Sequence, residues 1–338
     1  MKKIYKDFPS FTEYVQFKVK FSLMKCHKAL FASRKEKAAF RHQTKIDRIN
    51  RKMKSSRFKM ESVIRASVSA EIKSDVTFKH SGHSGDIIYS LPAIKALSRG
   101  RPATLYLQPG QPAYFPSEMR PHPVGDVKLN AYMANALLPL LRIQPYLSAV
   151  EIYSGQSIDY DLDAFRDVWL PTDRGHIARW YFWVYGIAGD LSKPWLHISG
   201  YKSADNAIVL ARSHRYQNGD LDFHFLNDFG EIRFVGTRAE YEDMKRILPN
   251  LKYVECNDFL CLAHVIRSAR FFIGNQSFPY AIAEALKVPR VLEVYPYCPN
   301  VIPEGENAYE AFFQPTFKYI VEQLMGRTEM LCHSSTAN

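Results

Sequence analysis

From Asp75 onward, short apolar runs alternate with longer segments whose apolar residues recur at helical spacing. Asp75–His80, Ala103–Leu107 and Ala149–Tyr153 read as strands, and residues 87–97, 130–142 and 175–186 read as helices. After a linking stretch around 187–206 the alternation resumes. Strands are predicted at 207–212, 231–236, 252–255, 270–273 and 288–294, and helices at 222–229, 238–247, 258–268 and 281–286, with a closing helix over Gln314–Met325. Such alternation predicts parallel sheets covered by helices. The fold class read from the pattern is α/β, with two doubly wound, Rossmann-like halves. The first seventy residues differ. Phe11, Tyr14, Phe17, Phe21, Met24 and Leu30 recur near helical spacing with Lys18, Lys20, Lys25 and Lys28 between them. Residues 34–59 are mostly polar and basic around Ala38, Ala39, Phe40, Ile46 and Ile49. One or two basic, amphipathic helices are predicted there.

Two turns in this pattern carry candidate chemistry. In the second half, Arg270–Ile273 is followed by Gly274, Asn275, Gln276, Ser277, Phe278 and Pro279, then by the apolar run Ala281–Leu286. A strand, a turn of small and polar residues and a helix start place backbone N–H groups and short side chains at the strand's carboxyl end. A phosphate or sugar hydroxyl binds in such places. Pro279 suits a first helical turn, where its missing N–H costs nothing. In the first half, Ser81-Gly82-His83-Ser84-Gly85-Asp86 links the first strand to a helix. Its glycines admit a ligand close to the backbone, while Asp86 alone reads equally as an acid favoured at a helix N-terminus.

Together the two turns resemble the family nine, heptosyltransferase-like glycosyltransferases. The resemblance rests on Ser84-Gly85-Asp86 with Leu91-Pro92-Ala93, on Ile208–Tyr216, on Phe234-Val235-Gly236-Thr237 with Glu240, and on Phe272–Ser277. It spans residues 75–325 and implies a GT-B fold, two Rossmann-like domains facing a cleft. It further implies that Asp86 is the catalytic base and that the second half binds a nucleotide-sugar. The well-known members carry an acidic residue, Ser/Thr and Gly, with a His, where this chain has Gly274-Asn275-Gln276-Ser277. A heptose donor is therefore not carried over. The domain division read on this basis is a basic helical extension at 1–70, an acceptor-side domain at 71–190, a donor-binding domain at 191–326 and a flexible tail at 327–338.

Charge changes the picture most. Residues 1–60 hold 18 Lys+Arg against 4 Asp+Glu, a balance of +14, whereas the whole chain balances 45 against 34 at +11. The remainder therefore carries 27 against 30, or −3. A domain gripping nucleic acid is expected to carry its own basic stripe, and here the cationic element is separable from the α/β body. The extension suits an anionic membrane surface, with Phe17 and Phe21 as the inserting face, or the phosphates of nucleic acid, or packing on the body. No apolar run reaches the length of a spanning helix, and no secretory signal is read. The five cysteines, Cys26, Cys256, Cys261, Cys298 and Cys332, form no Cys-x-x-Cys pair. They suggest a reducing compartment without a disulfide framework.

Metal-like spacings are weak. His80 and His83 lack a third ligand nearby, and Asp159, Asp161 and Asp163 read as a loop entering the next element rather than a metal motif. The stretch 108–126 is expected to be a mobile loop over the cleft.

The function read from the chain is transfer of a sugar from a nucleotide-sugar donor to an acceptor hydroxyl, without a metal or other cofactor. The donor is a co-substrate, and the acceptor a glycan or lipid-linked glycan of cell-surface or lipopolysaccharide synthesis. The expected location is cytoplasmic, at the inner membrane face. Asp86 would take the acceptor proton. Arg212 and Arg215 would hold the diphosphate, since guanidinium makes bidentate, charge-assisted contacts. Tyr216, Gly85, Gly236, Thr237, Gly274, Asn275, Gln276, Ser277 and Glu293 complete the candidate donor site, with Glu240 and His214 as weaker candidates. Two other readings stay open: sugar transfer onto modified DNA bases, and a non-catalytic binding protein of the same fold.

Overall fold

The computed structural model describes residues 11–69, 74–113, 125–199 and 206–326. The centre of the expected cleft loop, part of the linker and the tail lie outside these residues. The described chain separates into two compact units, described in turn: the extension with Ala164–Leu170, and all the rest from Ile72 onward.

In the first unit the extension forms two helices, α1 (Phe11–Phe31) and α2 (Arg34–Ser69). The break between them is local chemistry. Ser33 and Glu36 form a reciprocal cap: the Ser33 N–H donates to Glu36 Oε2 at 2.8 Å, and the Glu36 N–H to Ser33 Oγ at 3.3 Å. These bonds, the side-chain one first, lower the Glu36 pKa. Phe21 stacks on Phe17 and on Phe40 of α2, with centroids 5.7 and 6.0 Å apart, and the Arg51 guanidinium sits 4.7 Å from the Phe17 ring. The segment 164–170 joins this unit through Lys59, which donates to the Asp167 carbonyl, and through the Trp169 N–H, which donates to Ser56 Oγ, both at 2.7 Å. Nothing in the sequence pattern announced that association.

The second unit holds both sheets. The first sheet is built from β1 (Val76–His80), β2 (Ala103–Leu107), β3 (Ala149–Ile152) and β4 (Tyr160–Asp161), parallel in the order β3-β2-β1-β4. Its helices are α3 (Ser84–Ser98), α4 (Ala131–Arg142) and α5 (Ile177–Tyr185). Asn130 caps α4, accepting from the Met133 N–H at 2.8 Å. Gly186 ends α5 in the left-handed conformation a glycine adopts without strain, with φ +61°.

The three alternating aspartates are explained by register. Parallel pairing sets Lys79 beside Asp161. Side chains of period two then bring each carboxylate to an odd position of β1 or its end. Asp159 Oδ2 accepts from the Thr77 N–H at 2.9 Å, Asp161 pairs with Lys79 Nζ at 2.9 Å, and Asp163 Oδ2 accepts from the Ser81 N–H at 2.9 Å. Burial opposes the charge on Lys79, but Asp161 and Asp163 prevail and its pKa rises.

The second sheet comprises β5 (Ile208–Ala211), β6 (Ile232–Phe234), β7 (Lys252–Tyr253), β8 (Phe271–Asn275), β9 (Arg290–Glu293) and β10 (Ala308–Ala311). All pairs are parallel, in the order β10-β9-β8-β5-β6-β7. Numbered within this half, that is 6-5-4-1-2-3, the dinucleotide-fold order. Its helices are α6 (Arg238–Ile247), α7 (Phe259–Ser268), α8 (Phe278–Leu286) and α9 (Gln314–Leu324). Strands β5, β8 and β9 are buried throughout, which is why they read as near-continuous apolar runs. Phe223, Phe234, Phe271 and Phe317 fill the core on one side of this sheet. The fold is thus the α/β architecture with two Rossmann-like halves that the alternation predicted. Strands β4 and β10 were not foreseen, because two residues and a mostly half-buried tetrapeptide leave little periodic signal.

The halves pack directly on each other. Helix α3 lies against α8, and α4 against α7. The Trp195 and Leu196 N–H groups both donate to the Ala285 carbonyl, at 3.0 and 3.2 Å, and Lys287 lies 4.4 Å from the Trp195 ring. Beneath, Arg290 and Lys287 both pair with the fully buried Glu284.

Candidate functional site

In open parallel sheets, ligands bind beyond the carboxyl ends of the strands where the strand order reverses. In the second sheet that point lies between β5 and β8. The segments leaving these strands are 212–218 and 276–277, the two stretches singled out by sequence. In the first sheet the reversal flanks β1, whose exit turn is 81–83.

Asn275 and Gln276 shape the site from within. Asn275 is fully buried. Its Oδ1 accepts from the Ser213 N–H at 3.0 Å, and its Nδ2 donates to the Ser213 and Arg215 carbonyls at 2.8 and 2.7 Å. Gln276 does the same for another loop. Its Nε2 donates to the Cys298 carbonyl and to Asn300 Oδ1, and its Oε1 accepts from the Tyr295 N–H at 3.0 Å. Both were read as ligand contacts; the structure commits their polar atoms to holding the loops that follow β5 and β9. Gly274 lets these backbones approach, since a Cβ there would meet the Phe272 ring at 2.6 Å and the Ala211 carbonyl at 3.1 Å. Ser277 starts α8 without a side-chain cap, its hydroxyl donating instead to the Asn275 carbonyl.

The two arginines separate. Arg212 makes a bidentate pair with Glu293, at 2.9 and 2.8 Å, and covers the Phe223 ring at 4.3 Å. Glu293 also accepts from the Asn218 N–H at 2.7 Å. Burial raises the Glu293 pKa against the opposing pull of Arg212 and that N–H. Arg212 and Glu293, both predicted to touch the donor, are thus engaged with each other. Arg215 instead donates to the Tyr216 hydroxyl at 3.2 Å and lies 5.0 Å from its ring. Tyr216 holds a left-handed backbone, φ +57°, uncommon for a non-glycine residue and costly unless its surroundings impose it. The Asn275 bonds to this loop are that imposition. Tyr216 packs edge-on against Tyr295 at 5.6 Å, and Tyr295 lies 5.6 Å from the exposed Tyr297. These two tyrosines were not predicted as site residues, although Val294-Tyr295-Pro296-Tyr297 is an aromatic, proline-broken exit from a buried strand.

Gly236 and Thr237 lie beyond β6. Gly236 has φ +151°, and a Cβ there would fall 2.9 Å from the Phe234 ring and 3.0 Å from Glu240 Oε2. Thr237 and Glu240 form a reciprocal cap on α6. Glu240 Oε1 also accepts from the His214 N–H at 3.4 Å, and His214 Nε2 lies 2.7 Å from Asp243 Oδ2. These side chains hold the β5 and β6 exits together.

Asp86 is half-buried in the first turn of α3. Its carbonyl accepts from the Tyr181 hydroxyl at 3.1 Å, which is 2.8 Å from His80 Nε2, while His80 Nδ1 accepts from the Gly82 N–H at 2.8 Å. The exit turn is thus anchored to α5. Next to Asp86, a Cβ on Gly85 would lie 4.0 Å from that of Ala281, so the N-terminal turns of α3 and α8 touch. Burial chiefly raises the Tyr216 phenol, Arg215 opposes, and Cys298, Asp86 and Tyr295 add to the rise. The phenol therefore stays protonated. Burial likewise pushes the Cys298 thiol up to about 11, which leaves it a poor nucleophile near neutral pH.

Of the predicted residues, the structure sets Gly85 and Asp86 at the start of α3 and Ser277 at the adjoining start of α8, holds Arg215 and Tyr216 in the loop bonded to Asn275, and engages Arg212, Glu293, Asn275, Gln276, Gly236 and Thr237 in contacts within the protein. Among the described residues, no group of three or more His, Cys, Asp or Glu side chains is arranged to hold a metal ion.

No protein-family model matches the chain, and no curated protein matches it. Among solved structures it is similar to the glycosyl transferase family 9 protein of Veillonella parvula DSM 2008, at 12% identity and a TM-score of 0.49, over 76% of this chain and 90% of that one. It is similar to the E. coli heptosyltransferase WaaC with ADP-2-deoxy-2-fluoro heptose, at 12% identity and a TM-score of 0.48, over 74% of this chain and 99% of that one. A third similar structure is the E. coli ADP-heptose lps heptosyltransferase II, at 11% identity and a TM-score of 0.48, over 75% of this chain and 97% of that one.

Proposed function

We propose that the protein transfers a sugar from a nucleotide-sugar donor to an acceptor hydroxyl, the acceptor being a glycan or lipid-linked glycan. The observation that supports this reading is the contact between the start of α3, which carries Asp86, and the start of α8, whose preceding Asn275 holds the loop that carries Arg215 and Tyr216. Group transfer from a diphosphate needs a carboxylate for the acceptor proton, and a cation, a protonated phenol and helix-start amides without side-chain caps for the leaving group.

In the proposed step the acceptor oxygen bonds to the anomeric carbon of the donor sugar, and its proton passes to the Asp86 carboxylate. The bond from that carbon to the diphosphate oxygen breaks, and its electron pair leaves on the diphosphate. Arg215 and the first-turn amides of α8 meet the charge that develops there, and the Tyr216 hydroxyl donates a hydrogen bond. Tyr295 and Tyr297 offer ring faces for the sugar or base.

The test begins with a thermal-shift panel of purine and pyrimidine nucleotide-sugars, because a ligand of the folded state raises apparent stability by mass action. With the donor so found, Asp86→Asn is expected to slow transfer by about 100- to 10,000-fold while donor affinity, measured by calorimetry, stays near wild type. Undiminished turnover in that variant refutes the assignment of the base. Absence of any stabilising nucleotide-sugar favours the non-catalytic reading.

A further inference from the structure

The apolar residues of α1 occupy two opposite faces. At about 3.6 residues per turn, Tyr14, Phe17 and Phe21 fall together on one side. Phe17 and Phe21 are the side chains that meet Phe40 and Arg51 of α2. Val15, Val19, Leu23 and Leu30 fall within an arc of about 80° on the other side. All four are exposed, Leu30 at 74% and Leu23 at 67%. Lys18 and Lys25 border this arc on one edge and Lys20 on the other. Over residues 11–60 the hairpin carries 15 Lys+Arg against Glu13, Glu36 and Asp47, a balance of +12.

We infer that this aliphatic face of α1 docks on an anionic phospholipid surface, the helix lying in the interface plane. Two observations select that partner. The first is the charge: a polybasic hairpin is drawn to an anionic leaflet. The second is the side-chain type. Tracking phosphates requires cations but no apolar insertion, and binding single strands favours aromatic faces for base stacking. On α1, Phe17 and Phe21 are occupied inside the hairpin, while the open face is aliphatic and rimmed by lysine, as in interfacial helices. The aromatic pair expected to insert is therefore a packing element, and the aliphatic face takes that role. Among the described residues no helix is long and apolar enough to cross a membrane, so the attachment is peripheral.

The full chain is tested by flotation with phosphatidylcholine vesicles, with and without phosphatidylglycerol, and against duplex DNA. Wild type is expected to float with the anionic vesicles only, and added salt to weaken it, because exposed charges are screened within about 8 Å at physiological ionic strength. Replacing the four aliphatic residues together by Gln retains charge and helix propensity, and leaves the α2 contacts untouched. That variant is expected to lose about 100-fold or more in vesicle affinity, from the apolar area withdrawn. Leu23→Trp keeps the face apolar, and its indole is expected to be quenched by brominated lipid. Equal vesicle affinity in the Gln variant, an unquenched Leu23→Trp indole, or tighter binding to duplex DNA than to vesicles would overturn the inference. So would a wild-type dimer that the Gln substitutions dissociate, which assigns the face to a second copy.

Discussion

Arg212→Met separates a structural role for this arginine from the diphosphate contact its sequence position suggested. Methionine keeps the stem over Phe223 but removes the guanidinium that pairs with Glu293 at 2.8 and 2.9 Å. Glu293 is 1% exposed and retains only the Asn218 N–H at 2.7 Å. Removing one partner of a buried pair costs about 3–5 kcal/mol, because the remaining charge is neither solvated nor compensated. The penalty depends on pH. The Glu293 pKa is already raised in the wild type, burial outweighing Arg212, and loss of Arg212 raises it further. A carboxyl whose folded pKa exceeds its unfolded value contributes stability that is present below the unfolded value, about 4.3, and is lost as pH rises through the folded pKa. The variant is therefore expected to recover toward wild type as the pH falls to about 4, and to be most impaired near neutrality. Adding Glu293→Gln removes the stranded charge, so the double variant should be more stable near neutrality than Arg212→Met alone. Urea denaturation at several pH values measures all three proteins. A loss below about 1 kcal/mol, or an equal loss at every pH, refutes the reasoning. Unchanged stability with weakened binding of a nucleoside diphosphate returns Arg212 to the ligand.

Other expectations follow from the same bonds. Asn275→Asp keeps the acceptor for the Ser213 N–H but sets a carboxylate oxygen against the Ser213 and Arg215 carbonyls. It should cost about 2–4 kcal/mol in urea denaturation, more than Asn275→Ala. Gly236→Ala places a methyl 2.9 Å from the Phe234 ring at a φ that L residues rarely adopt, and should lower stability by about 2 kcal/mol or more, read as a drop in thermal midpoint. His176 is buried, and burial first, then Arg179 and Lys287, hold its pKa down to about 3. Its contribution is present above the unfolded value of about 6.5 and lost as pH falls, roughly 2 kcal/mol between pH 7 and 5. His176→Asn should flatten that stretch of the stability curve, and an unchanged slope would place the acid sensitivity elsewhere. Arg215→Ala should weaken binding of a nucleoside diphosphate more than of the bare nucleoside, since its guanidinium lies beside Tyr216 in the loop that follows β5. Calorimetry with the two ligands compares the losses.

The sequence by itself determined the alternation of strands and helices, the concentration of positive charge in the first sixty residues, and the turns that occupy the strand ends. Those are properties of short range: apolar period, glycine and proline placement, caps such as Thr237 with Glu240, and charge counted along the chain. It also drew attention to Asp86 and Arg215 as candidates, because the types of residue at a strand exit are visible without coordinates. Tertiary structure decided what each polar group is bonded to. Arg212 and Arg215 look alike in sequence, yet the register of β5, β8 and β9 brings Glu293, 81 residues away, to Arg212 and not to Arg215. Asn275 and Gln276 read as ligand contacts until the loops they hold, at 213–215 and 295–300, are placed around them. The sequence pattern drew attention to the aromatic stripe of α1 and put Leu30 in it, whereas Leu30 falls on the opposite face with Val15, Val19 and Leu23. Only the position of Phe40 decided which face is buried in the hairpin and which remains open. Each of these outcomes depends on a partner distant in the chain, and a single sequence encodes the residue types but not the pairings that folding selects among them.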